Sequence, residues 1–133
     1  MWHDLAFMAA DLCASHGPLD DRAAEFIGGA GMAYIATADA DGGCAEVVRQ
    51  GPPGFIRVID DRRLAYPEAE PLPDGARVGI LLIDLGPAGR GLHVNGRAHS
   101  VARDDLPAEV TGPERWVLVD VDETYVHERA TGR

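Results

Sequence analysis

The feature that most constrains this chain is that its helical patterns all come before its strand patterns. Apolar residues recur at a helical spacing over residues 2–15, and Asp20 suits the N-cap of a second short helix that packs Ala23, Phe26 and Ile27 inward. From Met32 onward the apolar period becomes two, as in half-buried strands. Because no helical pattern separates the strands, the order predicts an antiparallel barrel rather than β-α-β units.

The periodicity predicts six to seven strands. The first begins at Met32, the second is anchored by Val47 and Val48, and the others span residues 55–59, 63–66, 77–83, 91–101 and 116–126. Residues 77–83 are almost continuously apolar, which indicates a central strand buried on both faces. The proline-bearing segments 67–75 and 104–114 are predicted to be irregular. At 133 residues we expect one mainly β domain, with a helical N-terminal segment over 1–30 and a barrel over 31–127.

The negative net charge of the chain limits the classes of molecule that it is expected to bind. The formal net charge is −10 and the pI is about 4.7, which excludes a basic nucleic-acid-binding face and disfavours anionic membranes. No apolar run approaches the roughly 20 residues of a membrane span, and no basic leader precedes an apolar core. Cys13 and Cys44 lack a metal-binding spacing and are interpreted as reduced thiols. The expectation is a cytoplasmic protein without nucleic-acid or membrane partners.

The most distinctive stretch is residues 34–55, which read YIATADADGGCAEVVRQGPPGF. An acidic, glycine-containing turn joins two strands, and Gly42 and Gly43 suit the positive φ of a hairpin. Pro52 and Pro53 cannot donate to a sheet ladder, so they redirect the chain into the next strand. With the later segments VVRQGPPGFIRVIDDRRLAYP, RVGILLID and LHVNGRA, this stretch resembles the pyridoxamine 5'-phosphate oxidase-like family of FMN-binding split barrels.

The resemblance covers residues 26–101 closely and residues 116–127 loosely. It implies an antiparallel split β-barrel that forms a homodimer, with FMN or a related flavin or deazaflavin between the subunits. The implied activity is a flavin-dependent oxidoreductase acting on an unidentified small-molecule substrate, with no catalytic residue singled out. Arg49 matches a phosphate-facing arginine, and the corner after it matches a loop beside the flavin ring. The cofactor-binding residues that the resemblance implies are Arg49, Gln50, Gly51, Pro53, Gly54, Phe55, Tyr66 and Arg97.

The chain departs from the family after Tyr66. Family members continue with a turn, a basic residue and a short helix that grip the phosphate, whereas this chain reads PEAEPLPD, with three acids and no cation. A phosphomonoester carries about two negative charges near neutral pH, so these carboxylates would repel it. Either Arg49, Arg57, Arg62 or Arg63 compensates, or the grip is lost. The alternative function is therefore a non-enzymatic homodimer that serves as a binding or structural module, and a haem-binding variant is a third.

Other polar residues have ordinary interpretations. Arg49 could instead pair with Glu46 or a turn aspartate. His93, Asn95, Arg97 and His99 share one face of a strand, where the two histidines are too far apart to ligate one ion, so a solvated or dimer-facing polar row is expected. The acids at 120, 122 and 123 are interpreted as a solvated strand face. No metal site is predicted.

Overall fold

The computed structural model describes residues 19–38, 41–70, 72–83 and 89–127. One helix and seven strands follow one another: α1 (Asp21–Gly29), β1 (Met32–Ala38), β2 (Cys44–Gln50), β3 (Arg57–Asp60), β4 (Arg63–Pro67), β5 (Ala76–Ile83), β6 (Gly91–Ala102) and β7 (Arg115–His127). A 3-10 turn, Arg103–Asp105, lies between β6 and β7. This order confirms the prediction of a mainly β chain with seven strands. The helix predicted over residues 2–15 lies outside the described residues.

Helix α1 begins where its sequence predicts, but it continues two residues past the predicted end at Ile27, through Gly28 and Gly29. The carboxylate of Asp20 accepts a hydrogen bond from the backbone N–H of Ala23 at 2.9 Å, which satisfies one of the unpaired donors of the first turn. Ala23 and Ile27 are buried, and Phe26 packs against the core while remaining partly exposed. The helix ends at Gly29, because two consecutive glycines disfavour its continuation. It therefore covers one end of the sheet.

The seven strands form one antiparallel sheet in the order β2-β1-β5-β6-β7-β4-β3. This confirms the split-barrel architecture, and the sheet is not closed by hydrogen bonds. Strands β2 and β3 follow each other in the chain but lie at opposite edges of the sheet. The Gly-Pro-Pro-Gly corner therefore spans the gap between the two edges.

The inner face of the sheet carries the main core. Alternate residues of the strands join with α1 in one apolar cluster, whose fully buried members include Ile35, Leu64, Ile80, Val94 and Val119. All seven strands contribute, since Val47 of β2 and Val58 of β3 also pack against this cluster. The period of two that marks the strands in the sequence therefore comes from this shared face.

A bulge in β7 changes which of its residues face inward. Asn95 pairs with Glu123 whereas Gly96 pairs with Val121, so Asp122 is an extra residue. Val121 is buried before the bulge and Thr124 after it, so the inward positions change from odd to even. A Cβ atom at Gly96 would overlap the backbone carbonyl of Asp120. Glycine is therefore required where the two strands come this close.

The outer face divides into two halves. In the half near β3, β4 and β7, which we call the covered half, Ala65 and Trp116 are buried beneath Leu106 and Val110 of the β6–β7 connection. In the half formed by β2, β1, β5 and β6, which we call the bare half, no described segment covers the sheet. Thus Tyr34 is 44% exposed.

The prediction that residues 77–83 are buried on both faces is wrong, because the outward side of this strand lies on the bare half. Strand β5 is not buried on both faces: Val78, Ile80 and Leu82 face the core, whereas Arg77 is exposed and Leu81 is half-buried. The continuous apolar run arises because the outward residues of β5 are apolar too. They lie on the bare half.

Candidate functional site

The arginine that the sequence assigns to a phosphate forms an ion pair with an acid of the connection between β4 and β5. Arg49 Nε lies 3.0 Å from Glu68 Oε1, and Arg49 Nη2 lies 3.1 Å from Glu68 Oε2. The side chain of Glu68 is 9% exposed and that of Arg49 is 36% exposed. Hydrogen bonding to Glu68 raises the pKa of Arg49 above its usual value. The partner is thus neither Glu46 nor a turn aspartate, and the contact is a two-point, partly buried ion pair in which Glu68 is the more buried partner.

This ion pair links two distant parts of the sheet. Arg49 belongs to edge strand β2, while Glu68 directly follows β4, the neighbour of the other edge. The backbone N–H of Glu68 donates to the carbonyl of Arg115 at 3.2 Å, which fixes the residue that carries the carboxylate. The side chains of Arg49 and Glu68 therefore bridge a gap in the sheet that backbone hydrogen bonds leave open.

The geometry does not fit the phosphate grip that the resemblance implies. A guanidinium binds a phosphate by the same pair of parallel N–H groups with which Arg49 holds Glu68. A phosphate at this position would have to displace a mostly buried carboxylate and leave it uncompensated, which is costly. Among the alternative cations, Arg63 already pairs with Asp60 at 2.7 Å. The acids of the β4–β5 connection thus oppose phosphate binding through a specific contact.

The corner after Arg49 is a compact turn. The backbone N–H of Phe55 donates to the carbonyl of Pro52 at 2.9 Å, and Gly54 has a φ of 86°. A Cβ atom at Gly51 would lie 2.7 Å from Phe55 Cβ, so glycine lets the phenyl group fold back toward the core. Pro53 is exposed. These residues form one contiguous surface beside Arg49.

Of the other three residues that the resemblance implies, Tyr66 lies close enough to Arg49 for their charges to interact, whereas the side chains of Gln50 and Arg97 lie on the opposite face of the sheet. Tyr66 is 1% exposed within the core, and burial raises the pKa of its hydroxyl. Gln50 is exposed and its Nε2 lies 3.5 Å from Met32 Sδ. Arg97 lies on the outer face of β6, where its Nη1 donates to the carbonyl of Gly75 at 3.3 Å. The structure therefore brings Tyr66 close to Arg49 beside the Gly51–Phe55 corner, and it leaves Gln50 and Arg97 on the opposite face.

A histidine between two aspartates is a feature that the sequence interpretation missed. His99 Nδ1 lies 2.7 Å from Asp74 Oδ1, and His99 Nε2 lies 2.9 Å from Asp120 Oδ2. Hydrogen bonds, first to Asp74 and then to Asp120, raise the pKa of the imidazole. Because both ring nitrogens donate only in the protonated ring, the two carboxylates favour the imidazolium. Asp74 comes from a loop and Asp120 from another strand, so the spacing of residues in the sequence does not indicate that they contact His99.

The acidic β4–β5 connection is irregular, as the sequence predicts, but it is anchored to β6. Beside the contact between Asp74 and His99, the N–H of Leu72 donates to Ser100 Oγ at 2.9 Å. The N–H of Gly75 donates to the carbonyl of Ala98, also at 2.9 Å. The connection is therefore held at its far end by β6 and at its near end by Arg49.

Metal sites and membrane-spanning helices are both absent from residues 19–38, 41–70, 72–83 and 89–127. Within these ranges, no group of three or more histidine, cysteine or acidic side chains could hold a metal ion. The one α-helix described, α1, is too short to span a bilayer.

Comparisons with known proteins show the fold. The chain matches no protein-family model and no curated protein. Two crystal structures of HupZ from Group A Streptococcus superpose with TM-scores of 0.60 and 0.58, each at 16% identity. The alignments cover 82% and 85% of this chain and 99% and 95% of those chains. A candidate pyridoxamine 5'-phosphate oxidase from Listeria innocua superposes with a TM-score of 0.52 at 10% identity, covering 95% of this chain and 98% of that one. The split-barrel fold of the pyridoxamine 5'-phosphate oxidase-like proteins is thereby confirmed.

Proposed function

We propose that this chain, which has the split-barrel fold of the pyridoxamine 5'-phosphate oxidase-like proteins, is a homodimeric binding module that has lost the phosphate grip for FMN. The observation that carries the proposal is the ion pair between Arg49 and Glu68. A flavin would be expected on this fold. Arg49, the cation that would bind the flavin phosphate, is already paired with Glu68.

The acidic side chains around Arg49 disfavour a phosphate at this position. Glu68 accepts two hydrogen bonds from Arg49, and its side chain is 9% exposed. Glu70 adds a further negative charge that also raises the pKa of Arg49. FMN would bring about two more negative charges to this point. The local charge thus favours a neutral or cationic group near Arg49 over a phosphate.

The bare half supports the homodimer. Cross-strand pairing aligns one row of side chains across five strands: Val48, Tyr34, Leu81, His93 and Tyr125. Val48 and Tyr34, on edge strand β2 and its neighbour β1, are 46% and 44% exposed, so two large apolar side chains lie uncovered side by side. A second copy of the chain, related by a two-fold axis, would cover both. The groove between the copies is where we expect a small molecule to bind.

A flavin-dependent oxidoreductase is the second candidate. The glycine corner from Gly51 to Phe55 supports it, because that loop keeps the compact shape expected beside a flavin ring. In this case Arg49, Gln50, Tyr66 and, from the other subunit, Arg97 would be the cofactor contacts. The flavin would supply the redox chemistry. This candidate requires Arg49 to release Glu68.

Titration with FMN separates the two functions. The wild-type chain, purified and dialysed, is expected to show no visible flavin absorbance, no quenching of added FMN and no rise in melting temperature. Glu68→Gln should gain measurable FMN binding, because it removes the charge that pairs with Arg49. Glu70→Gln removes one charge two residues away, leaves the ion pair intact and serves as the control. Tight binding of FMN by the wild type would overturn the proposal and support the oxidoreductase.

A further inference from the structure

A cavity lies away from the ion pair of Arg49 with Glu68, between the C-terminal end of α1 and the start of β1. Its volume is about 540 Å³, which falls within the roughly 300–1,000 Å³ of small-molecule sites. Helix α1, the glycine-containing turn after it, the end of β2 and the segment that enters β6 all contribute to its wall. Gln50 is the only one of the eight implied flavin contacts that lines it.

The wall of this cavity combines apolar surface with two cations. Phe26, Met32 and Ile83 supply apolar surface. The guanidinium carbon of Arg90 lies 5.4 Å from the centre of the Phe26 ring, so the cation is held over an aromatic face. Arg22 is the second cation, and Glu25 is the one acid in the wall.

The local charge therefore differs from that of the whole chain. Two arginines and one glutamate make this wall net positive in a chain whose formal net charge is −10. A guanidinium carries five N–H donors, so each arginine can keep its present interactions and still donate to a ligand. A carboxylate matches this geometry in a two-point contact. Glu25 disfavours a ligand with two negative charges more than one with a single charge.

We propose that this cavity binds an amphipathic monocarboxylate, a molecule with one carboxylate and a compact apolar body such as a medium-chain fatty acid. The apolar body would lie against Phe26 and Ile83, and the carboxylate would accept hydrogen bonds from Arg22 or Arg90. The inference goes beyond the proposed function. It does not depend on whether the chain binds a flavin, because neither Arg49 nor Glu68 lines the cavity.

Two neighbouring glycines provide a matched pair of variants. Gly28 and Gly29 both end α1, neither has a positive φ, and a Cβ atom at either meets no atom within 4 Å. Only Gly29 lines the cavity. Gly29→Leu should therefore fill the cavity, while Gly28→Leu should leave it open at the same cost to the helix.

The experiment uses the full chain and decanoate as the probe. An environment-sensitive dye with an apolar anionic body, 8-anilinonaphthalene-1-sulfonate, is bound first and then displaced by decanoate. We expect displacement in the wild type and in Gly28→Leu, and at least about a 10-fold weaker decanoate affinity in Gly29→Leu. Thermal melting of all three proteins establishes that each is folded. Equal affinities for the two glycine variants, or no displacement from the wild type, would overturn the proposal.

A second comparison tests the charge. Arg22→Gln should weaken decanoate binding several-fold and leave the affinity for decan-1-ol, which has the same chain without the carboxylate, nearly unchanged. Arg62→Gln removes the same charge from the exposed turn between β3 and β4 and serves as the control. Equal binding of decanoate and decan-1-ol by the wild type would show that the arginines do not recognise the carboxylate, and would refute the assigned ligand class.

Discussion

The two halves of the outer face belong to the same sheet, but one is buried by another part of the chain and the other is exposed. In the covered half, the β6–β7 connection places Leu106 and Val110 over Trp116, which is 3% exposed. In the bare half, Tyr34 and Val48 remain close to half-exposed, with no described segment above them. One half therefore completes its packing within the chain, and the other leaves apolar area uncovered.

This difference assigns different roles to apolar residues of similar size. Residues of the covered half should contribute to the folding of one chain, because their neighbours come from that chain. Residues of the bare half should contribute to association, because no described segment of the chain buries them. The comparison can be tested at the border between the halves, in each half separately, and through its dependence on pH.

A substitution at the border between the covered half and the bare half should have the largest effect on the free energy of unfolding. Gly96 lies where β7 bulges, and a Cβ atom there would overlap the carbonyl of Asp120. We expect Gly96→Ala to destabilise the fold by about 3 kcal/mol or more, because backbone of β6 or β7 must move. Gly79→Ala on β5 is the control, since its Cβ would meet only the side chain of Asn95, at 3.3 Å. Urea denaturation of both variants measures the difference, and equal losses would contradict the role of the bulge.

Within the covered half, Trp116→Ala should cost about 3–5 kcal/mol of unfolding free energy. The indole is buried, and its Nε1 donates to the carbonyl of Pro113 at 2.8 Å. Tyr34→Ala in the bare half should cost less than about 1 kcal/mol when both are measured in a monomeric background. Chemical denaturation gives the two values. If they were similar, the division of the outer face into halves would be wrong.

Within the bare half, Val48→Asp should abolish self-association while leaving the fold intact. A carboxylate beside Tyr34 would have to lose its water when a second copy covers it. Sedimentation velocity should therefore find a monomer, whereas we expect a dimer for the wild type, and the circular dichroism spectrum should be unchanged. Ala108→Asp places the same charge on an exposed residue of the β6–β7 connection and should remain dimeric. A monomeric wild type would refute the homodimer.

The smallest effect is expected from His99, which lies on the outer face between the loop aspartate Asp74 and Asp120 of β7. These carboxylates raise the pKa of His99, so the folded state binds the proton more tightly than the unfolded state. The stabilisation is fully present below the ordinary pKa of about 6.5 and is lost as the pH rises through the raised value. His99→Gln should therefore cost about 1 kcal/mol or less near pH 5.5 and almost nothing near pH 8.5. Denaturation at the two pH values tests the sign, and a greater cost at the higher pH would contradict it.

The strands could be predicted from sequence because their inner faces are apolar at a period of two, which the bulge in β7 interrupts. Asp20 likewise marks the start of α1, since capping is a local interaction. Strand β5 was misinterpreted because Leu81 is apolar on the outward face, and a single sequence cannot distinguish a residue buried in its own chain from one on a bare surface. The periodicity of a sequence shows which side chains of a strand are apolar. Only the tertiary structure shows whether another part of the chain covers them.

The turn beside Arg49 was predictable from sequence, but the contacts of the implied cofactor-binding residues were not. The Gly-Pro-Pro-Gly corner follows from backbone chemistry that is local, so its turn was predictable. The partner of Arg49 is 19 residues away, and the two meet only because β2 and β4 approach each other across the gap in the sheet. His99 acquires its aspartates in the same way, from β7 and from a loop. Interactions that depend on the arrangement of distant strands leave no signal in residue spacing.

The strand order also divides the folding of this chain into local and distant steps. Strands β1 and β2 form a hairpin, β3 and β4 form another, and β5, β6 and β7 form a meander, so each unit can pair within a short stretch of sequence. Two seams then join them: β1 to β5, where Ala33 meets Leu82, and β4 to β7, where Leu64 meets Val119. Closing each seam costs the entropy of a long loop before its contacts form. These two seams, rather than any hairpin, should therefore set the rate at which the chain reaches its native state.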